Sequence, residues 1–149
     1  MKKKIFIITL ITFVIDQIIK ILTSIYLTNV SIVHNVLSLT YAKNYGIAFS
    51  MLREKRIIII AISILLISFL TYVLKKDYIS KNKDTWLVNI AFGILFGGIL
   101  GNLFDRIVRG FVIDYINVSF FSIFNLADIA ITFGVVLLII DNIKESKNN

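Results

Sequence analysis

Asp105, Asp114 and Asp128 stand in or beside stretches apolar enough to enter a bilayer. A carboxylate in lipid is costly, and by default it marks function. Asn125 precedes Asp128 by three residues and shares its helical face, and no basic residue in that helix could neutralise it. Asp114, between Ile113 and Tyr115, has no clear partner four residues away. Two unpaired carboxylates at similar depth could form an acid–base dyad. Like charges at close range cannot both ionise, so one carboxyl keeps its proton while the other stays anionic. The anion would activate a water, and the protonated partner would polarise a scissile carbonyl. Spacing alone leaves two plainer readings open: an exposed loop acid for Asp114 and a buried structural hydrogen bond for Asp128. Dyad chemistry requires no metal or cofactor. The chain has no cysteine and one histidine, His34, which excludes thiol nucleophiles and His-rich metal clusters.

Other polar residues fall in the same kind of sequence. Asp16 and Lys20, four apart, share a helix face. They read as a structural ion pair or as support for a site from behind. Asn102 and Arg106 also share a face, where they could cap and snorkel or could clamp a peptide carbonyl. Asp105 reads as a partner for Arg106 or a neighbouring arginine rather than as a catalyst.

These residues need a membrane scaffold to hold them. Of 149 residues, 58% are hydrophobic, and the mean hydropathy is +0.89, well above soluble proteins. Four stretches are long enough to span, at about 5–27, 57–74, 86–104 and 123–140. The first is too long for a cleavable leader and reads as a retained helix. The expectation is an all-α membrane protein: a single domain over 1–149, with four transmembrane helices and a small strand-containing cap at about 29–56. Asn44-Tyr45-Gly46 supplies turn chemistry in that cap. Residues 105–122 read as an apolar loop returning to the same side, and Asp128 falls about one and a half turns into helix 4. Gly93, Gly97 and Gly101 share a face suited to close helix packing. The net charge of +7 reflects loop bias rather than nucleic-acid binding. Lys2–Lys4, Lys75, Lys76, Lys81, Lys83, Lys144 and Lys147 lie on one side, which predicts cytoplasmic termini. The Arg53–Arg56 cluster pulls the other way. Juxtamembrane lysines favour anionic membrane lipid.

Four segments, "DQIIK", "NYGIAFS", "GNLFDRIVRGFVIDY" and "FNLADIAI", occur in an order and setting that resemble the lipoprotein signal peptidases (signal peptidase II) over essentially the full length. That family comprises bacterial membrane aspartic peptidases. They remove signal peptides from prolipoproteins whose cysteine already carries diacylglycerol, cutting before that cysteine. The resemblance implies Asp114 and Asp128 as the catalytic pair, and Asn44, Asn102, Arg106 and Asn125 as substrate-site residues. Asp16 matches a supporting acid. It also implies a lipid-modified prolipoprotein as substrate, an active site near the outer face of the cytoplasmic membrane, and no obligate protein partner. Ser122 stands where the family usually has proline, and the segment between the two aspartates is short. Both features bear on where helix 4 begins. The rival expectation is a small four-helix proton-coupled transporter using Asp16 or Asp128. A non-catalytic scaffold would leave Asp128 unexplained.

Overall fold

The computed structural model describes residues 1–46, 55–79, 81 and 84–148. Helix α1, Lys2–Tyr26, is a proline-free apolar run whose polar residues turn inward. Asp16, Gln17, Lys20 and Thr23 are buried, whereas Phe6, Leu10, Ile18 and Ile25 are exposed. A soluble helix would do the reverse. In lipid this arrangement is the economical one, because hydrocarbon accepts the apolar face and only protein can satisfy the polar stripe.

Helix α2, Arg56–Val73, is nearly all lipid-facing, with Ile59 as its one buried residue. Ser63, Ser68 and Thr71 satisfy their hydroxyls on carbonyls four residues back. The helix ends in a π-helical turn, Leu74–Ile79, that turns both Leu74 and Tyr78 inward. Helix α3, Trp86–Val108, opens with Thr85 accepting from Val88 N–H and is the most buried element. It packs against α1 on one side and α4 on the other. The glycine face does serve packing: a side chain at Gly93, Gly97 or Gly101 would strike Ile8, Thr12 or the Asp16 carboxylate of α1. Gly98 and Gly134 do the same between α3 and α4 (Leu126–Asn148). All four helices are long and apolar enough to cross a membrane.

The cap is a four-stranded antiparallel sheet in the order β1 (Val30–Val33), β2 (Leu37–Asn44), β3 (Val112–Val118), β4 (Ile123–Phe124). Two differences from the sequence reading appear here. Residues 112–124 contribute half the sheet's strands rather than a loop, because Val112, Ile113, Tyr115, Ile116 and Val118 suit a pleated, half-buried surface. Pairing Ile123–Phe124 with β3 then delays helix 4, which starts at Leu126 rather than 123 and continues beyond 140. The other helices run 2–26, 56–73 and 86–108 against the expected 5–27, 57–74 and 86–104. Residues 47–50 of "NYGIAFS", Arg53 and Lys83 lie outside the described residues.

At the pole opposite the sheet, Ile5, Leu74, Tyr78, Val88 and Phe92 form an apolar cluster. Tyr78 and Phe92 meet edge to face at 5.2 Å. Nearby, the Met1 amine donates to Asp84 at 2.8 Å. That amine and the Asn89 amide hold the Asp84 carboxyl down at about 2.

Candidate active site

The site forms where α3, α4 and β3 converge. Asn125 acts as the N-cap of α4: its Oδ1 accepts from Asp128 N–H (3.0 Å), and its own N–H donates to Asp128 Oδ2 (3.1 Å). This reciprocal pair is a capping box with an aspartate as its third helical residue. Asp128 therefore sits in the first turn of α4, not one and a half turns in. There the helix dipole favours its charge.

Asp114 lies in β3 opposite Ala42 of β2, and at 2% exposure it is no loop acid. Its oxygens accept from Asn44 Nδ2 at 2.8 Å and from Asn125 Nδ2 at 2.6 Å. Burial pushes its carboxyl up to about 6, and the Asp128 charge adds to the rise. The Asn44 and Asn125 donors and the Lys20 ammonium pull it back. Asn125 thus joins the two carboxylates, donating to Asp114 from its side chain and to Asp128 from its backbone N–H.

Asn102 Nδ2 donates to Asp128 Oδ1 at 2.8 Å. Its Oδ1 accepts from Asn125 Nδ2 (3.2 Å) and from Lys20 Nζ (3.0 Å). Lys20 is fully buried and spends its other donors on Asp16 Oδ2 (2.9 Å) and Asp105 Oδ2 (3.0 Å). Asp105 pairs with Arg109, the neighbouring arginine, rather than with Arg106. Its Oδ2 also accepts from Ile113 N–H, which ties α3 to the start of β3. Two carboxylates and two cations therefore cancel, the condition for keeping charge inside a bilayer. Asp16 also accepts from Ala127 N–H at 3.1 Å, satisfying an otherwise orphaned donor at the start of α4.

Arg106 donates to Asn102 O (3.2 Å) and Gly46 O (2.9 Å), linking α3 to the cap turn. Three residues not singled out from sequence join in. Gln17 donates to Asp16, Asp105 and Gly101 O, and Arg109 donates to Gln17 Oε1 at 2.8 Å. The Tyr115 hydroxyl accepts from Leu126 N–H, another orphan of α4, and burial pushes its pKa up to about 12. Arg109 stands four residues after Asp105, a spacing that could have flagged it. Tyr115 carried no such signal.

Asp114 and Asp128 open together onto a cavity of about 590 Å³ between α2 and α4. Asn44, Asn102 and Arg106 share its polar wall, and Ile59, Ile62, Leu66, Ile131 and Phe133 give it an apolar floor.

Four helices long and apolar enough to cross a membrane are thus capped by a small sheet, and Asp114 and Asp128 face one cavity among them. The sequence matches the family Signal peptidase (SPase) II over residues 8–144. A lipoprotein signal peptidase of Caldicellulosiruptor bescii is 43% identical over 136 residues, 90% of this chain and 87% of that relative. One of Halothermothrix orenii is 36% identical over 139 residues, covering 91% and 92%. A solved bacterial membrane enzyme superposes with a TM-score of 0.84 at 29% identity, over 97% of this chain and 90% of the other. This chain belongs to the signal peptidase II family, the bacterial membrane aspartic peptidases that remove signal peptides from prolipoproteins. It is a multi-pass membrane protein, and the transporter reading has no support.

Proposed function

We propose that Asp114 and Asp128 are the catalytic dyad, and that the scissile bond precedes a diacylglyceryl-modified cysteine of the prolipoprotein. The observation carrying this reading is that Asn125 hydrogen-bonds both carboxylates at the wall of one cavity. The half-buried Asp128, at a helix N-terminus, is the anion. Asp114, with its raised pKa of about 6, holds the shared proton. Asp128 takes a proton from water as the oxygen attacks the carbonyl carbon, and Asp114 protonates the carbonyl oxygen. The resulting gem-diol collapses as Asp128 passes its proton to the leaving amine, the C–N bond breaks, and Asp114 recovers a diol proton.

Asn44, Asn102, Arg106 and Asn125 bind and orient the substrate, with Asn102 and Asn125 also fixing the carboxylates. Asp16, Lys20 and Asp105 support them from behind. The chain acts as one integral-membrane domain, 1–149, with both termini in the cytoplasm and the sheet at the outer face. The apolar floor of the cavity suits acyl chains arriving from surrounding membrane lipid, and the mechanism calls on no protein partner. The test compares cleavage of one synthetic precursor with and without the diacylglyceryl group. The account expects kcat/KM to fall at least about a hundredfold without the lipid, as expected when remote binding energy is lost. Equal rates would refute the lipid requirement.

A further inference from the structure

The sheet stops at β4. Among the described residues this strand pairs with β3 on one side and with no strand on the other. Its ladder shows which backbone groups are free. Val118 N–H donates to Ser122 O, so that pair is hydrogen-bonded. Antiparallel pairs alternate, which makes Ile116–Phe124 a bonded pair and Asn117–Ile123 a non-bonded one. The N–H and C=O of Ile123 therefore point off the sheet. The carbonyl receives only a 3.3 Å bond from the adjacent Ser122 hydroxyl.

This free edge lies in the working part of the molecule. Ser122, Ile123 and Phe124 line the same cavity as Asp114 and Asp128. The residue after β4 is Asn125, which holds both carboxylates. An exposed edge at such a place is a template for an extended chain. An extended conformation is also what leaves a scissile carbonyl open to attack, since a helix would occupy that oxygen.

We infer that the substrate adds to β4 as a fifth strand, with the Ile123 N–H donating to a substrate carbonyl and the Ile123 C=O accepting from a substrate amide. The inference rests on the dyad reading and gives it a register. β4 runs from the sheet towards α4 and the membrane interior. A signal peptide seated among the helices leaves in the opposite sense, so the pairing is antiparallel. Ile123 precedes Asn125 on the sheet side of the carboxylates, so the substrate residue facing it lies beyond the cleaved bond, in the mature lipoprotein. Main-chain pairing supplies affinity with little dependence on substrate sequence.

The test uses the full chain carrying Asp114→Asn and Asp128→Asn in lipid nanodiscs. The protein is saturated with a synthetic diacylglyceryl peptide spanning a cleavage site, and amide exchange is read by NMR. Exchange at Ile123 is expected to slow at least tenfold, and at Phe124, already paired to β3, by less than twofold. An unchanged rate at Ile123 in the saturated protein overturns the pairing. In the active enzyme, Ile123→Pro removes the donor at an edge position that tolerates proline. It should raise KM about tenfold with kcat within about twofold, the loss expected for one hydrogen bond. An unchanged KM in that variant also overturns the proposal. Cleavage surviving Asp128→Asn would instead strike the dyad and leave the edge pairing standing.

Discussion

The two poles of the α1–α3 pair are held by opposite kinds of interaction. Away from the sheet, Ile5, Val88 and Phe92 meet the π-helical Leu74 and Tyr78 in an apolar cluster. Beneath the sheet, the same two helices meet through Asp16, Gln17, Lys20, Asp105 and Arg109, with all but Arg109 buried. Apolar packing tolerates small shifts and carries little directional information. A closed ionic network fixes each partner's position, and here its free ends are Asn102 at Asp128 and Asp16 at the start of α4. The apolar pole serves stability, while the charged pole gives up stability to aim two carboxylates.

That division is open to direct attack. The largest effect should come from Lys20→Met, which leaves Asp16 and Asp105 facing each other with Arg109 as the remaining cation. Removing one partner of a buried network costs ~3–5 kcal/mol, and processing by the surviving folded protein should fall as well, because Asn102 loses its anchor. Denaturation in detergent together with a per-molecule activity assay checks both. Adding Asp16→Asn should recover part of the stability but not the activity. Phe92→Ala at the other pole should cost about 3 kcal/mol through the cavity it leaves. Cleavage per folded molecule should be unaltered, and a lower kcat there would blur the contrast.

A smaller change is expected from pH. Asp114, raised to about 6, must keep its proton to act as the acid, so kcat/KM should fall as pH rises through that region. Asn44 favours the ionised form by donating to it. Asn44→Ala should therefore move this alkaline limb to higher pH by about one pH unit, whatever it does to the maximum rate. A limb that stays put or moves down would contradict the assigned proton. In stability terms the sign is the same. With its pKa raised on folding, Asp114 favours the folded state most below its unfolded value, and that contribution is lost as pH rises through about 6.

Local features were legible in the sequence. Run length and apolarity located four spans to within a few residues at most ends. The four-residue spacing of Asp16 and Lys20 predicted their contact, and the glycines of α3 predicted close packing. What escaped depends on pairing between distant segments. Asp114 faces Ala42 only because β2 and β3 meet, and no local pattern announces that register. Helix 4 begins later than apolarity implies, because Ile123 and Phe124 are as apolar as the helix they precede. The choice between strand and helix was made by β3, outside any local window. Of the site, Asn102, Asp114, Asn125 and Asp128 stand out as polar residues in or beside apolar sequence, whereas Asn44 is marked only by its turn and by the family resemblance. Tyr115 carries no such mark, because its hydroxyl matters through a helix N-terminus that apolarity alone misplaces.

Whether Asp114 and Asp128 act as one unit can be measured directly. Asp114→Asn, Asp128→Asn and the double variant are compared with wild type for cleavage of a lipidated precursor at matched membrane abundance. Asparagine is nearly isosteric and removes a buried charge, so each variant should fold and insert. Each single change should lower the rate by about 10³-fold or more, and the double variant should be little worse than either. Near-normal cleavage by either single variant would contradict the account, as would losses that multiply in the double.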